Sequence, residues 1–215
     1  MTTSKTHRGI AGSVLAVVGL LFAVDGAGAQ DANLLEQQIL KALVVKKPGI
    51  ITRGLTTTIR ETPETETRLL NSVKNKTTRS ITLEEREQIA EIAKIRPSID
   101  VEVNFDYGSA NIGQSALPYV TALGKALAND DLRGNTFVIA GHTDGAGGTP
   151  FNQDLSERRA DSIKRYLVDK FGIAGADLVT VGYGKSNLKD ASQPLAEVNR
   201  RVQVVNMENK TTASK

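Results

Sequence analysis

The chain has 215 residues, enough for one ordinary domain with appendages or for two small domains. Its formal net charge is only +3, and the basic residues are interspersed with acids, which argues against a nucleic-acid-binding protein. There is no cysteine, which excludes disulfides, thiolate metal sites and a lipidated N-terminal cysteine.

Residues 1–29 are predicted to be a signal peptide. Two basic residues precede the apolar run 10–24, which is too short to span a membrane comfortably, and Ala27-Gly-Ala29 supplies the small residues that a signal peptidase accepts. We therefore expect an exported protein that begins at Gln30 and whose net charge is lowered by one, to +2. The alternative is that the run stays uncleaved as an inner-membrane anchor.

Residues 30–45 are predicted to form a short amphipathic helix, because leucine, isoleucine and alanine recur at i+4 and i+5. Such a helix docks on its own domain, on a second copy of the chain or on a partner protein. Docking on its own domain is as well supported as the other two together. Residues 46–81 are rich in Thr, Lys, Arg and Glu, and are predicted to be an extended, mostly disordered tether.

Residues 82–208 are predicted to form one α+β domain, followed by a polar tail over 209–215. Thr82 and Glu85 form a capping-box pattern that opens a helix, and Pro97 ends it. Alternating or continuous apolar runs then predict strands, and 3.6-residue periodicity predicts two further helices. The predicted elements are a strand at 99–105, a helix at 114–129, a strand at 136–140, a helix that ends at Gly172, and strands at 178–184 and 200–207. The order β-α-β-α-β-β predicts two main helices packed on a mixed four-stranded sheet.

The stretch from Gly141 to Arg159 is a strand end, a glycine-rich turn and a helix start. Asp144 follows the strand, at the edge where open α/β sheets bind ligands. Arg159 falls within the apolar arc of the helix, between Leu155 and Ile163, where a guanidinium needs an anion or several acceptors. Either Arg159 snorkels out or pairs internally with Asp144, or the two form a two-point clamp for a zwitterionic amino-acid centre.

These motifs resemble the OmpA-like peptidoglycan-binding domain family, over roughly residues 99–207. The family's motifs occur in the right order at compatible spacings: Gly141-His-Thr-Asp144, Asn152, Leu155-Ser-Glu-Arg-Arg-Ala160, Gly182-Tyr-Gly184 and Asn199-Arg-Arg-Val202. The resemblance implies noncovalent binding of cell-wall stem peptides through their diaminopimelate residue. It implies that Asp144 meets the ammonium group of diaminopimelate and that Arg159 meets its carboxylate. It places further contacts on Asp106, Thr143, Asn152 and Arg200.

The resemblance also implies a non-enzymatic protein of the periplasm, associated with the outer membrane and cell wall, without a cofactor or a metal. The runner-up hypothesis is an envelope scaffold that acts through its N-terminal helix, by self-association or by binding another protein. A wall hydrolase is third.

Other chemistries fit the same residues poorly. A phosphate loop ending at Gly184-Lys-Ser would need a glycine where Val179 stands. Ser156 lies in an ordinary helix start, which argues against a hydrolytic triad with His142 and Asp144. Those last two residues also lack a third metal ligand at matching spacing, and His142 is interpreted as a structural histidine.

Overall fold

The computed structural model describes residues 30–44, 63–101, 103, 105 and 108–208. The helices are α1 (Gln30–Leu43), α2 (Pro63–Val73), α3 (Leu83–Ala93), α4 (Leu117–Ala128) and α5 (Thr149–Phe171), and the strands are β1 (Ser98–Val101), β2 (Phe137–His142), β3 (Leu178–Gly184) and β4 (Val202–Asn206). The predicted signal peptide and polar tail lie outside these residues, as do positions 45–62 of the predicted tether. Within the described ranges, no helix is long and apolar enough to cross a membrane.

The four strands form one mixed sheet in the order β1-β4-β2-β3. β2 and β3 are parallel, while β4 is antiparallel to both β1 and β2. α4 connects β1 to β2, and α5 connects β2 to β3. The predicted fold, two main helices on a mixed four-stranded sheet in the order β-α-β-α-β-β, is therefore confirmed.

Both faces of the sheet are covered by helices, which gives three layers. On one face, the sheet packs against α1, α4 and α5 through an apolar core that includes Ile39, Val120, Leu123, Phe137, Ile139, Ile163, Leu167 and Val204. On the other face, α2 and α3 contribute to a second core that includes Leu69, Val73, Ile89, Ile92, Val138, Val181 and Val205. β2 and β3 are therefore buried throughout, as continuous apolar runs require.

α1 docks on its own domain. Ile39 and Leu43 are fully buried in the first core, and the helix packs along α4. Asn206 Nδ2, from the end of β4, donates a buried hydrogen bond of 2.9 Å to the carbonyl oxygen of Leu43. The apolar stripe that predicted a docking helix is thus largely used within the chain.

The prediction of an extended tether over residues 46–81 is wrong for its second half. α2 buries Leu69 and Val73 against the sheet, and Glu66 forms a buried ion pair with Arg96. The composition of this segment is polar, but two apolar residues at i and i+4 are enough to hold a helix in place when a sheet face is available to pack on. Tertiary contacts supplied the stability that the polar composition did not indicate.

A 3-10 turn at Thr78–Ser80 fastens this segment to the domain. The hydroxyl of Thr78 hydrogen-bonds to Asp161 on α5 and lies 2.5 Å from the hydroxyl of Thr180 on β3. Ile81, next along the chain, is buried in the second core. Residues 63–81 therefore belong to the folded unit.

Local signals in the sequence correctly marked two helix ends. Thr82 and Glu85 form a complete capping box, with Glu85 N donating to Thr82 Oγ1 at 3.2 Å and Thr82 N donating to Glu85 Oε2 at 3.0 Å. α5 ends at Gly172, whose φ of +64° is the left-handed cap conformation. The first strand is shorter than predicted, since β1 ends at Val101 and not at residue 105.

Candidate functional site

Asp144 lies just beyond β2, at the carboxyl edge of the parallel pair β2–β3. Its Oδ2 accepts from Arg200 Nη1 at 3.0 Å, and its Oδ1 accepts from the backbone N–H of Ala146 at 3.1 Å. The Asp144 side chain is one-fifth exposed and that of Arg200 is 41% exposed. The carboxylate is thus held at the surface by one cation and one turn amide.

The turn after Asp144 is fixed from inside by Thr143 and Asn152. Thr143 N donates to Gly184 O at 2.9 Å, and its hydroxyl donates to the carbonyl oxygen of Asp144. Asn152 Nδ2 donates to Ala146 O at 2.5 Å. Because both side chains are buried, their role in this structure is to shape the turn that presents Asp144.

Arg159 is on the inner face of α5 and is only 6% exposed. Its Nε donates to Ser109 O at 3.0 Å, and its guanidinium carbon lies 4.8 Å above the ring centre of Phe105. Burial lowers the pKa of Arg159 to about 10, while the nearby charge of Asp144 acts to raise that pKa. The group remains cationic at neutral pH, preoriented by a carbonyl and an aromatic face.

The structure brings Asp144, Arg159 and Arg200 into one electrostatic cluster. The charge of Asp144 raises the pKa of Arg159 and the charge of Arg200 lowers it, so all three are close enough to interact. The ion pair of Asp144 is with Arg200, which also lies 3.4 Å from Glu197. An internal ion pair between Asp144 and Arg159 was one of the alternatives that the sequence left open. Arg200 was predicted only as a further contact.

Asp106, the remaining residue that the resemblance assigned to the site, lies outside the described residues. Its neighbours Phe105 and Gly108 are described and lie close to the cluster: Phe105 is beneath Arg159, and Gly108 precedes Ser109.

Ser156 and two glycines of β3 allow α5 to pack closely on that strand. The sequence analysis did not assign them this role. Ser156 Oγ accepts from Gly184 N at 2.8 Å and donates to Gln153 O at 2.8 Å. A methyl group on Gly182 would lie only 2.8 Å from the backbone nitrogen of Glu157, so the helix approaches the strand more closely than a side chain permits. The sequence feature that could have revealed this close packing is the presence of two glycines, Gly182 and Gly184, because glycine is unusual inside a buried strand.

Asn199 organises the loop that precedes β4. It is fully buried, and its side chain makes four hydrogen bonds to the backbone of residues 190–194. The same loop returns to the turn after Asp144, because Pro194 O accepts from Gly145 N at 2.8 Å. Asn199 thereby positions Arg200 next to Asp144.

His142 is a buried, neutral histidine, as the sequence analysis expected of a structural residue. Its ring stacks on that of Tyr183 with centres 5.2 Å apart, and Nδ1 lies 3.1 Å from Asn187 O. Burial and the nearby charge of Arg201 lower the pKa of His142 to about 3, which does not suit a general base at neutral pH. Over the described ranges, no group of three or more acidic or histidine side chains is placed to hold a metal ion.

Two surface cavities are lined by residues outside this cluster. One of about 320 Å³ is bordered by Ser109, Arg158 and Arg165, and one of about 550 Å³ is bordered by Lys74, Lys164 and Thr180, among others. Neither includes Asp144 or Arg159 in its lining. The charged cluster is therefore the better-founded candidate, because it unites buried and surface charges of opposite sign at the sheet edge.

Residues 104–201 match the model of the OmpA family. Outer membrane porin F of Pseudomonas fluorescens is 35% identical over 107 residues, which are 49% of this chain and 32% of that protein. Outer membrane protein A of Klebsiella pneumoniae is 33% identical over 97 residues, 45% of this chain and 28% of that protein. The chain thus spans about a third of the length of the curated relatives it matches, or less.

Two solved structures are similar as well. The peptidoglycan-associated lipoprotein from Burkholderia pseudomallei is 23% identical with a TM-score of 0.40, over 53% of this chain and 92% of that one. The C-terminal domain of MotB from Helicobacter pylori is 18% identical with a TM-score of 0.43, over 52% of this chain and 87% of that one.

Proposed function

We propose that this chain is a non-enzymatic, exported module that binds peptidoglycan noncovalently and associates with the outer membrane and cell wall, because residues 104–201 match the model of the OmpA family. We further propose that it recognises the diaminopimelate residue of the stem peptide. The observation that carries this proposal is the cluster of Asp144, Arg159 and Arg200, one acid and two cations at the carboxyl edge of β2 and β3.

Arg159 is the fixed half of the proposed clamp. It is buried and already held by Ser109 O and Phe105, so little side-chain freedom is lost when it meets a ligand carboxylate. A guanidinium binds a carboxylate through two parallel N–H donors, which fixes orientation as well as charge.

Asp144 and Arg200 form the exchangeable half. Their ion pair is partly exposed, and such pairs contribute on the order of 1 kcal/mol or less. An incoming ammonium can therefore displace Arg200 from Asp144 at small cost, and Arg200 retains Glu197 as a neighbour at 3.4 Å. The displaced arginine then faces the ligand from the open side, next to Asp144.

Opposed charges make such a site selective for a zwitterion. A ligand that is neutral or carries a single charge would displace Arg200 from Asp144 but would leave Asp144 or Arg159 without an opposite charge. Modest affinity for each stem peptide suffices, because the wall presents many copies of it.

The docked position of α1 supports this proposal over the alternative of a scaffold acting through its N-terminal helix. The side chains of Ile39 and Leu43 are already buried within the domain, so an external partner would have to displace them. Only Leu34, near the start of the helix, remains a large exposed apolar side chain on α1 among the described residues.

The direct test is co-sedimentation with purified peptidoglycan, using the wild type, Asp144→Ala and Arg159→Ala. Arg158→Ala is the matched control, because Arg158 is adjacent in sequence but pairs with Asp154 on the outer face of α5. We expect Asp144→Ala and Arg159→Ala to lose retention and Arg158→Ala to keep it. Thermal unfolding of each variant separates a lost site from a lost fold. Equal retention of all four proteins would end the assignment of this site.

Release of soluble muropeptides from the same wall preparation would instead indicate a hydrolase. Competition by free meso-diaminopimelate tests the finer assignment. If wall fragments compete but diaminopimelate does not, peptidoglycan binding stands and the named ligand group is wrong.

A further inference from the structure

Phe151 is an exposed aromatic residue near two loops that adjoin the charged cluster. It lies in the first turn of α5, and 47% of its surface is exposed. A methyl group placed on Gly147 would lie 3.8 Å from Phe151 Cδ1, and one placed on Gly108 would lie 4.0 Å from Phe151 Cζ. The ring therefore lies near two separate loops, and about half of the residue is open to solvent.

The two loops near Phe151 are those that hydrogen-bond to the two charged side chains. Gly147 belongs to the turn that Asp144 and Asn152 hold together by hydrogen bonds. Gly108 directly precedes Ser109, whose carbonyl oxygen accepts from Arg159. The ring thus lies near one loop that is bonded to Asp144 and one loop that is bonded to Arg159.

Both glycines have positive φ, +66° at Gly108 and +78° at Gly147, so each loop turns without a side chain beside the ring. A ring that only filled space between two loops would be expected to be covered by their side chains. Here about half of the residue is uncovered, and the two loops near the ring hold charged groups of both signs. An apolar surface with polar groups around it is the usual composition of a ligand site.

We propose that Phe151 contacts the ligand and packs against the methylene chain that links the two charged ends of a diamino acid. This inference rests on the function proposed above. Asp144 and Arg159 recognise charges that any α-amino acid carries, whereas the aromatic ring recognises the carbon chain that extends beyond them. Phe151 would therefore make the site prefer long diamino acids over short zwitterions such as alanine.

The chain contains no tryptophan, so Phe151→Trp introduces a single fluorescent reporter at this position. On titration with meso-diaminopimelate and with a soluble diaminopimelate-containing muropeptide, we expect a blue shift of the emission, because the ligand replaces water on the ring. The matched control is Leu83→Trp, at a residue that is 65% exposed at the start of α3, in the layer on the other face of the sheet. Its emission is expected to stay constant.

Affinity is measured in parallel by calorimetry with the same muropeptide. We expect Phe151→Ala to weaken binding about tenfold and Phe151→Leu to weaken it less, because leucine restores part of the apolar surface. A ring that only supports the two loops would leave the Phe151→Trp emission unchanged on ligand binding, and that result would overturn the proposal.

Failure of this inference is distinguishable from failure of the proposed function. If the wild type binds the muropeptide and Asp144→Ala does not, while Phe151→Ala binds as the wild type does, then only the role of Phe151 is wrong. If the wild type does not bind, the proposed function fails and this inference fails with it. If Phe151→Ala does not fold, the emission of Phe151→Trp decides.

Discussion

His142 makes the stability of this protein depend on pH in a window where few other groups titrate. The ring is 1% exposed, and its pKa falls from 6.5 to about 3, first because burial disfavours the charged form and then because Arg201 is nearby. The hydrogen bond to Asn187 O acts in the opposite direction but is the smallest of the three effects. In the folded protein the imidazole therefore stays neutral well below pH 6.5.

The direction and the magnitude of this pH dependence follow from the difference in proton binding between the folded and unfolded chains. Below pH 6.5 the unfolded chain binds a proton at His142 and the folded chain does not, so acid favours unfolding. This stabilisation is complete above pH 6.5 and is lost as the pH falls toward the folded pKa of about 3. Between about pH 7.5 and about pH 5.5, the free energy of unfolding should fall by about 1.4 kcal/mol from this one group.

The assay is urea denaturation at these two pH values, for the wild type and for His142→Gln. In a protein that begins at Gln30, as the predicted cleavage would leave it, His142 is the only histidine, since the other is His7. We expect the substitution to remove the difference between the two pH values, whatever it does to stability at either one.

Nitrogen NMR of the imidazole gives an independent measurement without any substitution. It should show Nδ1 protonated and Nε2 unprotonated at about pH 5.5, because Nδ1 faces the carbonyl oxygen of Asn187. Titration of the ring near pH 6.5, or a wild type equally stable at both pH values, would refute the reasoning.

Three further substitutions test the packing around the site, each by the free energy of unfolding from chemical denaturation. Gly141→Ala would place a methyl group on the carbonyl oxygen of Ser156 and should cost about 1–3 kcal/mol; a neutral effect would mean that α5 can move away from β2. Leu43→Ala should cost about 2–5 kcal/mol if α1 docks as described, against little change for Leu34→Ala, which is 51% exposed; equal effects would contradict the docking. Glu66→Ala removes the partner of a buried arginine and should cost about 3–5 kcal/mol, and a cost below about 1 kcal/mol would show that this ion pair does not hold α2 in place.

The residues of the candidate site could be proposed from the sequence, but the ion pair between Asp144 and Arg200 could not. A carboxylate after a buried strand and an arginine within an apolar helical arc were enough to identify Asp144 and Arg159 as a pair of interest. The ion pair between Asp144 and Arg200 joins residues 56 positions apart in sequence, and no local pattern encodes it. It depends on the loop that Asn199 holds, and therefore on where β4 enters the sheet.

For α2 the prediction was wrong for a different reason. Local helix signals were present in the sequence, but the polar composition of the segment was given more weight. Pro63 stands at the first helical position, and Glu64 and Glu66 stand in the first turn, where acidic residues favour a helix. Leu69 and Val73 then recur at i+4. These signals are weak individually, and the polar surroundings favoured a tether.

What the sequence determined by itself was local: the capping box of α3, the glycine at the end of α5, the apolar strands, the motifs that match the OmpA family over residues 104–201, and hence the order of elements. These features follow from interactions over a few residues, or from burial patterns with a fixed period. Only the tertiary structure decided that α1 and α2 dock on the domain and that Arg200 is the ion-pair partner of Asp144. Such contacts join distant parts of the chain, and their free energy depends on surfaces that exist only once the sheet has formed.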